Sequence, residues 1–168
     1  MISSLEIKNF KSVKHLRLAP RRINVLIGKP NAGKSNILEA LGLLSFIGFY
    51  RGGPDTPRDF VRFERTLNLF YDEVVDNPLE IRWDDCRLSF TFQQGRFTGE
   101  VVQGESSKRA DFSGDQEDIH ISGVGRPALF TPFKFYRFRV LTSFPQLQTG
   151  FLLPPSGTNL MSLILAHK

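Results

Sequence analysis

The chain has 168 residues, with 22 Lys/Arg against 17 Asp/Glu for a formal net charge of +5, and 40% of it is hydrophobic. That is enough to bury a core, and it gives no sign of a disordered or fibrous composition. One cysteine and three scattered histidines exclude an internal disulfide and a Cys/His zinc site; with no leader pattern and no apolar run as long as a bilayer span, a cytoplasmic protein without a membrane partner is expected.

From the N-terminus, residues 3 to 9 and 15 to 18 alternate apolar with polar, through Leu5 and Ile7 and then Leu16 and Leu18. This is the period of half-buried strands. It predicts a β-hairpin connected by Asn9-Phe10-Lys11-Ser12-Val13-Lys14, with a turn at Ala19-Pro20-Arg21-Arg22 after it. Ile23-Asn24-Val25-Leu26-Ile27 then has the length and β-branched character of a buried third strand. Residues 1 to 35 hold eight lysines and arginines against a single carboxylate, Glu6. That bias suits polyphosphate or a nucleic-acid backbone, and it equally suits a solvated hairpin face.

Gly28-Lys29-Pro30-Asn31-Ala32-Gly33-Lys34-Ser35-Asn36 follows and fits Gly-x-x-x-x-Gly-Lys-Ser/Thr, the phosphate-binding (Walker A) loop of P-loop nucleotide hydrolases and kinases. Ile37, Leu38, Ala40, Leu41, Leu43 and Leu44, with Glu39 among them, continue as a helix packed on a sheet. Successive backbone amides and the positive end of that helix form an anion site, and glycine at 28 and 33 lets the backbone turn and approach without a Cβ. Lys34 is the expected catalytic cation, reaching the terminal phosphates, and the Ser35 hydroxyl is the expected Mg²⁺ ligand.

Leu5-Glu6-Ile7-Lys8-Asn9-Phe10-Lys11-Ser12, then Leu16 and Leu18, then Asn24 to Gly28 and the loop with Asn36 after its serine, resembles the N-terminus of the RecF/SMC/OLD group of ABC-type ATPases. The resemblance covers residues 3 to 48. It implies ATP and Mg²⁺ as cofactors, held by Gly28, Lys29, Pro30, Asn31, Ala32, Gly33, Lys34, Ser35 and Asn36, with Lys11 and Ser12 near the adenine or the phosphates. It also implies an α/β fold: a P-loop NTPase N-terminal lobe across 1–168, with a mixed sheet, an added antiparallel meander and the P-loop helix. Pro30-Asn31 departs from the family, whose asparagine stands one place earlier. Gly-Lys-Pro-Asn-Ala-Gly-Lys-Ser also looks like the loop of translation-factor-type GTPases. That class should add Asp-x-x-Gly after a strand, spelled by Asp111-Phe112-Ser113-Gly114 but without a strand-like run before it, and Asn-Lys-x-Asp, which is absent.

Beyond the helix, Gly52-Gly53-Pro54 marks a break, and Phe60 to Phe70 reads as a short helical or irregular stretch. Alternating runs between 79 and 102, separated by Asp84-Asp85 and Gln93-Gln94-Gly95, predict an antiparallel meander. Residues 103 to 127 are polar and glycine-rich and read as a mobile loop. Phe130 to Leu141, with Lys134, Arg137 and Arg139 interleaved, reads as a core strand with a basic face or as a base-stacking platform. By resemblance, Gln146 or Gln148 would touch Mg²⁺, and the ending Leu153-Pro154-Pro155-Ser156-Gly157-Thr158-Asn159-Leu160 would precede an insertion and a second lobe. Residues 158–168 read as the start of a helix.

Two parts of a hydrolytic site are missing. Leu69-Phe70-Tyr71-Asp72-Glu73 spells an apolar strand ending in carboxylates (Walker B), but Asn68 interrupts it and a surface turn is expected. Ile121-Ser122-Gly123-Val124-Gly125 is the nearest spelling of the family's signature motif, and Pro127 would stop the helix that should follow. The expectation is an ATP-binding lobe poor in turnover by itself, completed by a C-terminal lobe, a second ATPase subunit or a homodimer; DNA as an ultimate partner is implied by the resemblance alone. The alternatives are a small GTPase or nucleotide kinase, and a non-catalytic interaction module with a vestigial loop.

Overall fold

The computed structural model describes residues 2–49, 56–104, 106–124, 133–137 and 150–166. The hairpin forms from β1 (Leu5–Phe10) and β2 (Val13–Leu18). Its turn is tighter than the alternation suggests: Phe10 pairs directly with Val13, leaving only Lys11 and Ser12 between the strands. Lys11, the first of the two, takes a φ of 52°, the left-handed backbone that a two-residue connection favours at that place; Asn9, inside β1, has the same φ.

Strand β1 pairs on its other side with β3 (Leu79–Trp83). From there β4 (Cys86–Gln93), β5 (Arg96–Gln103), β6 (Ser106–Gly114) and β7 (Ile119–Val124) follow in sequence, giving the order β2-β1-β3-β4-β5-β6-β7. Every pairing is antiparallel. The sheet is therefore not mixed among the described residues. Residues 103 to 127, expected as a mobile loop, instead supply β6 and β7. Their glycine and polar content conceals a backbone that continues the meander along β5, with Gly99 opposite Phe112 and Val101 opposite Ala110. The turn between them is closed by Asp115, whose Oδ1 accepts the amides of Glu117 and Asp118 at 2.8 Å each.

The largest departure is at Ile23–Ile27, where no strand forms and Ile23, Val25 and Ile27 are 80%, 73% and 89% exposed. An apolar run signals a buried strand but cannot name its neighbours. No described strand lies beside it to satisfy its amides and carbonyls.

Helix α1 (Lys34–Phe49) crosses the inner face of the sheet and buries Ala40, Leu43, Leu44, Phe46 and Ile47 against Ile7, Leu79, Ile81 and Leu88. The short α2 (Pro57–Phe60) lies so close that a Cβ on Gly42 would stand 2.7 Å from the Phe60 carbonyl oxygen. Phe70, Phe90 and Phe97 close the far end of the core as an aromatic stack, with centroids 5.6 to 5.8 Å apart. Asp72 and Glu73 sit in an exposed 3-10 turn (Tyr71–Glu73), as the interrupted run before them predicts.

Residues 133–137 carry no strand. They are fastened to α1 by the Phe135 amide donating to Ser45 Oγ at 3.1 Å, and to 150–159 by Tyr136 Oη donating to the Leu152 carbonyl at 2.6 Å. The remainder of the run 130–141, with Gln146 and Gln148, lies outside the described residues. A last helix, α3, spans Leu160–Ala166. Among the described residues no helix is long and apolar enough to cross a membrane. The single cysteine, Cys86, is buried, and that burial together with the Asp85 carboxylate pushes its thiol up to about 12.

The outer face of the hairpin carries a charge ladder centred on Glu6, which meets Arg17 Nε and His15 Nε2 at 2.7 Å each and Lys8 Nζ at 3.5 Å. The Arg17 hydrogen bond, then that of His15, hold the Glu6 carboxyl down to about 2 from its ordinary 4.5. A carboxylate depressed in the folded state contributes stability that is complete above its unfolded value and is lost as pH falls through its folded one. Glu6→Gln is therefore expected to cost about 1 kcal/mol at neutral pH and to flatten the loss of stability between pH 4.5 and about 2. Urea unfolding across that range measures it, and an unchanged pH dependence would remove Glu6 from the account.

Candidate functional site

The loop between residue 28 and α1 is shaped by two left-handed residues, Asn31 at φ 60° and Gly33 at φ 81°. Asparagine tolerates that region better than most residues. Glycine at 33 is demanded twice, because a Cβ there would also stand 3.0 Å from Ser12 Oγ, which is itself held by Asn36 Nδ2 at 2.7 Å. Gly33→Ala is expected to cost about 1–2 kcal/mol in denaturant unfolding, and an unchanged midpoint would show that neither the left-handed backbone nor Ser12 demands glycine here. Gly28 differs: a Cβ there would meet the side chains of Ala32 and Lys34 at an ordinary 3.8 Å, so no described atom demands glycine at 28.

The loop closes on itself through the Ala32 amide donating to the Lys29 carbonyl, and the Asn36 and Ile37 amides donating to the Gly33 carbonyl. The amides of Gly33, Lys34 and Ser35 donate to no described residue. No acidic residue stands in the first turn of α1, so the partial positive charge of the helix end is uncompensated. A cavity of about 320 Å³ opens here, lined by Ser12, Asn31, Ala32, Gly33, Lys34, Ser35, Asn36 and Arg62. Lys34 Nζ rests on the loop's own carbonyls, 2.8 Å from that of Gly28 and 2.5 Å from that of Lys29. A second cavity of about 240 Å³ shares Ser35 and Arg62 with the first and is lined further by Leu38, Glu39, Phe135, Tyr136 and Arg137.

Glu39 lies one helical turn beyond Ser35, with its side chain 1% exposed. Lys11 Nζ sits 2.6 Å from its Oε2, Arg62 Nε sits 2.5 Å from its Oε1, and an Arg137 terminal nitrogen lies 3.5 Å from the same Oε1. Three cations on one buried carboxylate leave two positive charges in excess beside the loop.

Of the residues singled out from sequence, Ser12 and Asn31 to Asn36 converge on one cavity, while Gly28 and Lys29 contribute the carbonyls that hold Lys34. Pro30 stands in the loop between them without lining the cavity. Lys11 does not line it either: its ammonium is engaged by Glu39 and by the Arg62 carbonyl at 2.7 Å. Gln146 lies outside the described residues. Sequence reasoning missed Glu39, Arg62 and Arg137. A glutamate at a helix position that should face a core was the available signal for the first, whereas nothing in the spacing links Arg62 or Arg137 to the loop.

A magnesium ion suits the donors present. Ser35 Oγ has no described partner and lines both cavities. Mg²⁺ is usually held by one or two protein oxygens, with phosphates and waters completing the shell. Among the described residues there is no cluster of His, Cys, Asp or Glu that would hold a metal without a phosphate.

Residues 1–82 match the AAA ATPase domain family. The chain is 35% identical over 86 residues to the DNA replication and repair protein RecF of Oenococcus oeni, covering 48% of this chain and 22% of the relative. It is 31% identical over 119 residues to the protein of the same name from Bacillus mycoides, covering 70% of this chain and 30% of the relative. A Helicobacter pylori protein named ATP/GTP phosphatase is 50% identical over 42 residues, 24% of this chain and 11% of that protein. The chain thus spans under a third of the length of these relatives.

Proposed function

We propose, on the premise that over residues 1–82 this chain belongs to the RecF/SMC-like AAA P-loop ATPases, that it is the ATP-binding lobe of such an ATPase. The observation that carries the reading is the convergence of the unpartnered Gly33, Lys34 and Ser35 amides, the Lys34 ammonium and the Ser35 hydroxyl on one cavity at the N-terminus of α1. The amides bind the β- and γ-phosphates. Lys34 exchanges the Gly28 and Lys29 carbonyls for phosphate oxygens, a trade of neutral acceptors for charged ones that favours the bound state. Ser35 would hold Mg²⁺, which would supply charge that offsets the phosphates. Ser12, fixed by Asn36, borders the phosphates from the hairpin turn.

Efficient hydrolysis requires a carboxylate-ended strand and a signature motif from elsewhere, a C-terminal lobe, a second ATPase subunit or a homodimer. The exposed Ile23, Val25 and Ile27 support this, as does an apolar groove of about 430 Å³ lined by Ile2, Leu5, Leu38, Leu41 and Phe133. Both are surfaces that a further sheet layer would cover. A role on DNA, suggested by relatives named DNA replication and repair protein RecF, belongs to the same proposal.

Isothermal titration of the chain with ATP and Mg²⁺ tests it. Saturable one-to-one binding that prefers adenine to guanine nucleotides is expected. Heat indistinguishable from dilution would end the nucleotide reading, and a guanine preference would move the chain to the GTPase class.

A further inference from the structure

Glu39 takes no part in the binding scheme above, yet it is the most completely enclosed charged side chain near the loop. Arg62, by contrast, has a side chain that is 63% exposed and forms part of the phosphate cavity wall. Glu39 accepts its Nε, so the pinned edge of the guanidinium is the one nearest the stem, and neither terminal nitrogen of Arg62 donates to a described residue. A planar guanidinium held by Nε presents its remaining N–H groups as a fixed fork, suited to two oxygens of one phosphate. The carboxylate cannot follow an incoming anion, because Lys11 holds Oε2 at 2.6 Å and Arg137 lies 3.5 Å from Oε1.

We propose that Glu39 is a positioning residue for nucleotide binding, holding Arg62 so that its free edge faces the phosphates. This rests on the ATP-binding reading and extends it to a residue that touches no ligand. Two physical effects of Glu39 oppose each other. As a negative charge close to an anion site it repels polyphosphate, so its removal should tighten binding on Coulomb grounds alone. As an anchor it spares the ligand the entropy of ordering a long, exposed arginine, so its removal should weaken binding. The geometry points to the anchor: the repulsion is already cancelled by Lys11 and Arg137, whereas nothing else described holds the Arg62 guanidinium.

The test is a double-mutant cycle read by titration of the full chain with ATP and Mg²⁺. Glu39→Gln is expected to weaken binding about tenfold in the wild-type background and to have no further effect in Arg62→Ala. A merely structural role would lower affinity equally in both backgrounds, which would overturn the proposal, as would unchanged or tighter binding by Glu39→Gln. Should Glu39→Gln fail to fold, Glu39→Asp keeps the charge while drawing the carboxylate back from Nε, and the same dependence on Arg62 is expected of it. If wild type itself binds no ATP, the nucleotide reading fails and this inference with it. Wild-type binding that Glu39→Gln leaves intact sinks the inference alone.

Discussion

Lys34→Ala is expected to weaken ATP·Mg²⁺ binding by about a hundredfold, roughly 2.7 kcal/mol, with little change in the thermal midpoint of the ligand-free chain. The two halves of that expectation have different causes. Lys34 Nζ donates only to the carbonyls of Gly28 and Lys29, both exposed loop groups that water can satisfy once the ammonium is gone, so the empty fold loses little. With a polyphosphate in the cavity the same ammonium would face several anionic oxygens, and a charge-assisted bond in that setting is about twice as strong as a neutral one. The measurement is a pair of thermal melts with and without ligand. At a ligand concentration of about a hundred times the wild-type dissociation constant, binding stabilises the wild type by about 2.7 kcal/mol, and this shift should all but vanish in the variant. An equal shift in both proteins would mean that the ammonium stays on its carbonyls and the amides alone hold the anion.

The contrast between Lys34 and Ile23–Ile27 shows what kind of information the sequence carried. Fixed spacing in the loop encodes a local backbone path, and local paths survive whatever the rest of the molecule does. Gly33 reaches φ 81° and Asn31 φ 60° within a segment whose backbone hydrogen bonds all run between neighbours. The hairpin and the meander are legible for the same reason, since each pairing joins strands adjacent in sequence. Ile23–Ile27 asks for non-local partners, and its spelling is silent on where they come from. The strands β6 and β7 fail in the opposite direction: glycine and polar residues discourage a strand reading, yet the open edge of β5 recruits β6, and β6 in turn β7, through backbone pairing that needs no apolar side chain. From the sequence Glu39 reads only as a helix former, because helical period reports which face a residue occupies, not what charge waits there. Lys11, Arg62 and Arg137 reach it from three segments separated by 51 and 75 residues, a convergence only the folded chain displays.

Phe70→Ala is expected to cost about 3–5 kcal/mol, the largest loss of stability foreseen for a single substitution here, against a total of about 5–15 kcal/mol for an ordinary domain. Phe70 is 1% exposed and packs its ring on Phe90 at 5.8 Å and Phe97 at 5.6 Å, so truncation removes one member of a stack and leaves a void that the sheet behind it cannot close. The position also reaches the nucleotide site. Phe70 bridges Phe10 at the end of β1, and the Lys11 amide donates to the Leu69 carbonyl at 2.9 Å. The segment bearing Phe70 thereby fixes the two-residue turn that presents Ser12 to the loop. Loosening it should lower ATP affinity several-fold even where the variant remains folded, whereas Phe70→Leu, which keeps most of the volume, should cost less than about 2 kcal/mol and leave affinity near wild type. Urea unfolding gives the first quantity and titration at a temperature well below the transition gives the second. A large stability loss with unaltered affinity would show that the hairpin turn holds its shape without the bridge, and that the core supports the site only by keeping the chain folded.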